Sequence, residues 1–255
     1  MRAEPFCVEG VSVQTLSLKE ASCRICDDVA SGKSFSVFTL NLDHVVKLRA
    51  NPAFRAVYER AGIVLADGFP IVLAGRLQGR CLSRTTGADL IVPLCEEASR
   101  RGLPVFLLGS TSRSLAGAER HLTNLISNLD VAGTYAPDQG FAAHSEQADE
   151  AIEAIRKSGA RICFIALGAP KQEIFADRCA REIEGVSFLC IGAGLDFLAG
   201  HQKRAPKVFQ VTGLEWLWRM LLNPGRLARR YAECLAVLPS VLLDSLSRRS
   251  AQAGR

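Results

Sequence analysis

The chain has 255 residues, enough for one large domain or two small ones. Apolar residues make up 48% and charged residues 22%, which excludes a disordered chain and fits a globular protein with a substantial core. A formal net charge of +5 permits a nucleic-acid partner without arguing for one, and no apolar run approaches the ~20 residues of a transmembrane helix.

In chain order, Val11 and Val13 alternate as in a short strand, and Leu18–Ala30 has helical spacing that stops at Gly32. Ser36–Leu40 reads as a strand ending in Thr39-Leu40-Asn41. A helix from about Leu42 is interrupted or restarted at Asn51-Pro52. Gly62–Ala66 is a strand ending at Asp67-Gly68, and helical spacing resumes through Phe69–Leu77. Thr86 or Asp89 is placed to cap the helix carrying Leu90, Leu94 and Ala98. Pro104–Leu108 is a strand with a helix after it, Asp130–Tyr135 another strand, and Ser145–Lys157 another helix.

The stretch from Ile162 to Pro206 is the centre of the chain. Two apolar runs, Ile162–Leu167 and Val186–Ile191, are short enough to be buried strands, and each ends in glycine, at Gly168 and at Gly192 and Gly194. The helix between them has Pro170 near its start and Ile174, Phe175, Cys179 and Ile183 on one apolar face. Strand and helix thus alternate about six times, which predicts an α/β fold with one doubly wound, mostly parallel, Rossmann-like sheet flanked by helices. After residue 206 the composition turns helical, basic and aromatic. That shift divides the chain into an α/β domain, residues 1–206, and a helical C-terminal appendage, residues 207–255.

The nine cysteines lie mostly inside apolar runs, as at Cys163, Cys190 and Cys234. Cys23 and Cys26 have C-x-x-C spacing, but no second pair completes a zinc site and no strand leads directly into them. A reducing, cytoplasmic setting is the simplest reading, and the N-terminus has no signal-peptide pattern.

All strand ends of a parallel sheet face one side, and ligands of open α/β sheets bind there. Thr39, Asn41, Asp67, Gln172 and Asp196 all follow strand ends, and the Arg84 loop follows the Asp67 unit. Gly168, Lys171 and Gln172 stand at a helix start, where free N–H groups attract phosphate. An acid at a strand end can serve as a general base, and arginines can hold a leaving diphosphate. Each residue also has a plainer reading. Asp67 or Thr39 can cap the following helix, Arg84 can be a surface partner of Asp89, Gln172 and Lys171 can be solvated, and Asp196 can brace its glycine turn. His201 reads as structural or exposed.

Several motifs occur in order at fitting distances: Thr39-Leu40-Asn41, Ala66-Asp67-Gly68, Arg84-Thr85-Thr86-Gly87-Ala88-Asp89, Leu167-Gly168-Ala169-Pro170-Lys171-Gln172-Glu173, Gly192-Ala193-Gly194-Leu195-Asp196-Phe197, Arg204-Ala205-Pro206 and Gly213-Leu214-Glu215-Trp216. Over about Val11 to Arg230 this resembles the WecG/TagA/CpsF glycosyltransferases of bacterial surface-polysaccharide synthesis. The resemblance implies an inverting, metal-independent and cofactor-free transfer of a hexose or N-acetylhexosamine. The donor would be a UDP-sugar, the acceptor a polyprenyl-diphosphate-linked saccharide, and the product β-linked. It implies Asp67 as the catalytic base, Thr39 and Asn41 in the pocket, and Arg84 and Gln172 as substrate-binding residues. No nucleic-acid partner is expected.

Trp216–Leu246 mixes leucines and tryptophans with Arg219, Arg226, Arg229 and Arg230, and fits core, an oligomer contact or a basic amphipathic surface on anionic lipid. A lipid-linked acceptor favours peripheral attachment to the inner face of the cytoplasmic membrane, with Arg219, Arg226 or Arg229 available to fold over the leaving UDP. Two alternatives remain, a nucleotide-dependent oxidoreductase and a non-catalytic nucleotide- or lipid-binding module. Against the first, no G-x-G-x-x-G follows an early strand.

Overall fold

The computed structural model describes residues 5–202, 204–206, 208–209 and 215–253, the side chains of residues 219, 222, 226 and 251–253 excepted. The chain opens with a hairpin, β1 (Phe6–Val8) and β2 (Val11–Val13), of which the sequence pattern predicts only the second strand. Its two-residue turn puts Glu9 at φ 52° and Gly10 at φ 82°, the left-handed pair that matches the twist of a tight hairpin. Gln14 then pairs with β4 through a hydrogen bond from its N–H to the Val64 carbonyl, 2.8 Å.

Helix α1 (Leu18–Ala30) starts in a capping box made by Ser17 and Glu20. Strand β3 (Phe35–Leu40) leads into α2 (Leu42–Ala50) and α3 (Pro52–Arg60). Asn51 ends the first of these helices and caps the second, its side chain accepting from Phe54 N–H, while Pro52 occupies the first turn. Next come β4 (Ile63–Ala66), α4 (Phe69–Leu77) and α5 (Gly87–Arg100), then β5 (Val105–Gly109), α6 (Ser112–Leu125) and β6 (Val131–Tyr135). The chain continues through α7 (Glu146–Ser158), β7 (Ile162–Ala166), α8 (Lys171–Glu182), β8 (Ser187–Cys190) and α9 (Gly194–Leu198), and closes with α10 (Glu215–Leu222) and α11 (Pro224–Ala253).

Among the described residues the main sheet has six strands in the order β4-β3-β8-β7-β5-β6, every pair parallel. One face is covered by α2, α3, α4, α7, α8 and α11, around Phe38, Phe54, Phe106, Phe175 and Phe188. The other carries α1, α5, α6 and α9 around Ile25, Leu94, Phe164 and Leu189. Right-handed crossovers account for most of this division: α2, α3, α7 and α8 lead toward β4 over the first face and α5 and α6 toward β6 over the second, while α4 opens the β4-to-β5 connection on the first face. The direction reverses between the adjacent strands β5 and β7, which opens a crevice at their carboxyl ends. The predicted Rossmann-like α/β fold with a helical C-terminal segment is therefore the observed one. Helix α11 packs on α2, α4 and β1 with Leu227, Cys234 and Val241 buried. Among the described residues no helix is long and apolar enough to cross a membrane.

Candidate active site

Strand β4 ends at Ala66, and Asp67 follows with its N–H bonded to the Leu40 carbonyl at 2.9 Å. The residue at the start of α4 is Gly68, at φ 84°, and no side chain caps that helix. Asp67 is therefore not spent as a cap. Its Oδ2 instead accepts from Asn41 Nδ2 at 3.3 Å. Asn41 is the cap of α2, its Oδ1 accepting from His44 N–H at 3.1 Å. That contact fixes which end of the amide faces which partner: the oxygen must meet the backbone donor, so the NH2 is delivered to Asp67. Thr39, 7% exposed, does not cap α2 either.

The loop carrying Arg84 lies against the same strand end, with Thr85 N–H donating to the Ala66 carbonyl at 2.9 Å. The α5 N-terminus is pressed onto β8, since a Cβ at Gly87 would lie 2.7 Å from the Cys190 carbonyl oxygen. Thr86 caps α5 by accepting from Asp89 N–H. The Asp89 carboxylate is shared by two guanidinium groups: Arg204 Nη1 reaches Oδ1 at 2.5 Å and Arg84 Nη2 reaches Oδ2 at 3.3 Å. Glu215, the first residue of α10, stands 3.7 Å from Arg84 Nη1. Burial raises the Asp89 carboxyl, but Arg204, Thr86 and Arg84 outweigh it and hold it below the usual range. Burial likewise works against a charged Arg204, but the carboxylates of Asp89, Glu215 and Asp67 prevail and keep it cationic.

The first turn of α8 differs from its sequence reading. Lys171 is exposed, but Gln172 is 4% and Glu173 0% exposed. Gln172 Oε1 accepts from Gly168 N–H at 3.3 Å and Gly192 N–H at 3.1 Å, joining the two glycine turns, and its Nε2 donates to Glu173 Oε1 at 2.7 Å. Gln172 is thus a buried brace between the loops that follow β7 and β8. Beside it, Tyr58 OH donates to the Thr39 carbonyl at 2.8 Å and His44 Nδ1 contacts the same oxygen at 2.7 Å. A carbonyl only accepts, so Nδ1 carries the proton and the bare Nε2 faces Glu173 Oε1 at 3.9 Å. Burial pushes Glu173 up to about 7 and His44 down to about 4, so both favour their neutral forms.

Asp196 braces the turn after β8. Its Oδ1 accepts from Ser110 Oγ and its Oδ2 from Gln202 Nε2 at 3.1 Å, which links α9 to the end of β5 across the crevice. His201 is exposed and meets Ser114 Oγ through Nδ1 at 2.8 Å. Asp67, Asn41, Arg84, Gln172 and Gly168 therefore gather along the carboxyl edge of the sheet, with Asp196 on its β5 side. Arg229 pairs with Glu233 on its own helix and is 92% exposed at the side chain. Lys203, Gly213 and Leu214, and the side chains of Arg219 and Arg226, lie outside the described residues. The sequence offered Asp89 as a partner of Arg84, and the two do pair, but it left Arg204, Glu215, Glu173, His44 and Tyr58 without roles in this assembly.

An open groove of about 650 Å³ at the opposite edge of the sheet is lined by Arg156, Arg161, Glu182 and Gly185 among others. Arg161 is spent there on the carbonyls of Gly185 and Val29, at 2.7 and 2.6 Å, so the groove is braced rather than equipped for chemistry.

A parallel doubly wound sheet with an aspartate, an amide and paired arginines at its carboxyl edge defines an α/β protein of the class that binds ligands outside its strand ends. The family is definite: the model of the Glycosyl transferase WecG/TagA/CpsF family matches residues 6–251, nearly the whole chain, and the protein belongs to that family.

Proposed function

We propose that the protein transfers a hexose or N-acetylhexosamine from a UDP-sugar to a polyprenyl-diphosphate-linked saccharide in surface-polysaccharide synthesis, with inversion to a β-linkage and without metal. The observation that carries this reading is the Asp67 carboxylate, held by the Asn41 amide and near enough to Arg204 for their charges to interact, with Arg84 sharing Asp89 with that arginine. In the transfer, an acceptor hydroxyl oxygen attacks the anomeric carbon as Asp67 takes its proton. The bond from that carbon to the diphosphate oxygen breaks on the opposite face, and UDP leaves with the bonding pair. The arginines stabilise the charge that grows on the departing diphosphate. Gln172 acts by shaping the two glycine turns rather than by touching sugar.

Exposed Leu221, Leu235, Leu243 and Leu246, with Arg229 nearby in sequence, support peripheral attachment of the C-terminal helices to an anionic membrane surface. A panel of UDP-sugars offered with a synthetic lipid-linked acceptor and a chelator tests the whole reading. A β-linked product is expected. Absence of transfer from every donor, or transfer only on adding a divalent ion, would reject it.

A further inference from the structure

We propose that Arg230 of α11 and Asp43 of α2 are positioning residues for the base: their ion pair holds the first turn of α2 where the Asn41 amide meets Asp67. The inference rests on the reading of Asp67 given above. It adds a way for the C-terminal helix to serve the reaction without touching substrate.

The polar side chains at the start of α2 are committed to three different parts of the molecule. Asn41, the cap, gives its Nδ2 to Asp67 Oδ2 at 3.3 Å. His44 ties the turn to its own strand through the Thr39 carbonyl at 2.7 Å. Asp43, 8% exposed, accepts from Arg230 Nη2 at 2.8 Å, a partner 187 residues away in the chain. Burial raises the Asp43 carboxyl, but Lys47, Arg230 and His44 outweigh it and hold it below the usual range. Lys47 also pairs with Asp43, but it lies one turn along the same helix and cannot fix α2 against anything else. Arg230 can, because α11 is itself anchored. Leu227, Cys234 and Val241 are buried, and Ser240 Oγ accepts from Arg49 Nη2 at 2.9 Å. Arg49 stands in the last turn of α2, so α11 grips that helix at both ends.

The contact most sensitive to this grip is the one between Asn41 and Asp67. At 3.3 Å it is longer than the usual ~2.9 Å, so a slip of α2 by about half an ångström would end it. Donation to a carboxylate favours its charged form, which is the form that takes a proton. Arg204 from the segment after α9 and Tyr58 from α3 also bear on the Asp67 charge, and both are retained in every variant below.

The Asp67 carboxyl is titrated by carbon-detected NMR in the full chain and in Asn41→Ser, Asp43→Ala, Arg230→Gln and Arg230→Lys, which reads the base without turnover. Asn41→Ser keeps a capping oxygen but has no amide to give, so the midpoint should rise. Asp43→Ala and Arg230→Gln should raise it as well, and each should lower kcat about tenfold with little change in donor KM. Arg230→Lys keeps the ion pair and should stay near the unmodified protein. Deleting the Asp43 charge with α2 unmoved would lower the midpoint, so a rise in Asp43→Ala reports lost position rather than an altered field. Arg230→Gln added to Asn41→Ser should shift the midpoint no further than Asn41→Ser alone. A lower global stability leaves the midpoint of the folded molecules in place, so weakened folding does not imitate this pattern. No rise in Asn41→Ser or Asp43→Ala, or additive shifts in the double variant, would overturn the proposal. Near-normal turnover by Asp67→Asn, with the NMR pattern intact, would instead reject the base reading alone.

Discussion

Glu173→Gln should make the protein progressively more stable than the unmodified chain as the pH rises. Glu173 is 0% exposed, one of its oxygens has no partner among the described residues, and burial lifts its carboxyl from 4.5 to about 7. The folded state thus keeps a proton that the unfolded chain has lost between those values. Stability is unaffected by this group below about pH 4.5 and falls as the pH climbs toward 7. A tenfold difference in proton affinity between the folded and unfolded states is worth about 1.4 kcal/mol, so the gap between variant and parent should grow by roughly 2–3 kcal/mol from pH 5 to pH 8.

Glutamine is close in shape, and its side-chain oxygen can still accept from Gln172 Nε2, so the brace between Gly168 and Gly192 survives. The charged and titratable groups around the site, Asp43, His44 and Lys47 on α2, Tyr58 on α3 and Cys190 on β8, are common to both proteins. His44 and Asp43 work in the opposite sense: the depressed value of each removes stability as the pH falls below its ordinary range. Urea unfolding of both proteins at half-unit steps of pH, with matching m-values, measures the difference directly. Parallel stability curves would refute the neutral, buried Glu173.

Asp67→Asn should lower kcat by ~10²–10⁴-fold while UDP affinity stays nearly intact, and near-normal turnover would remove Asp67 as the base. Asn41→Asp keeps the cap on α2 but sets a second carboxylate against Asp67, so the acid limb of the pH–rate profile should move upward. An unmoved limb would mean that Asn41 does not act through Asp67. Replacing Arg226 and Arg229 with glutamine should reduce retention on anionic vesicles in a salt-sensitive way, and undiminished retention would take membrane docking away from this face.

Much of the fold is legible in local pattern. The Asn51-Pro52 restart, the Thr86 cap and the apolar runs of β3 to β8 are each decided within a few residues. The three-residue β1 is not, because so short a segment becomes a strand only through its partner. Within α8 the polar triplet Lys171-Gln172-Glu173 reads as a wetted first turn, and only Lys171 is exposed. A signal was present: Gln172 precedes Phe175, Ala176, Cys179 and Ile183 at helical spacing and continues their buried stripe. Arg204 and Glu215 had no such signal, since their meeting with Arg84 and Asp89 joins segments more than 100 residues apart in the chain.

Two amides organise the site by one physical device. Asn41 turns its oxygen to a helix N–H and so must offer its NH2 to Asp67. Gln172 turns its oxygen to two glycine N–H groups and so must offer its NH2 to Glu173. The two carboxyls that receive these donors then diverge through their surroundings. Glu173 is sealed from solvent, and burial outweighs its neighbours and favours the protonated form. Asp67 is half-buried at the strand ends, near enough to Arg204 for their charges to interact. A carboxyl that holds its proton can brace a turn, and one beside a cation can accept a proton from an attacking hydroxyl. The proposal that Asp67 serves the reaction and Glu173 the architecture rests on that division, although in sequence both are simply acids close behind a strand.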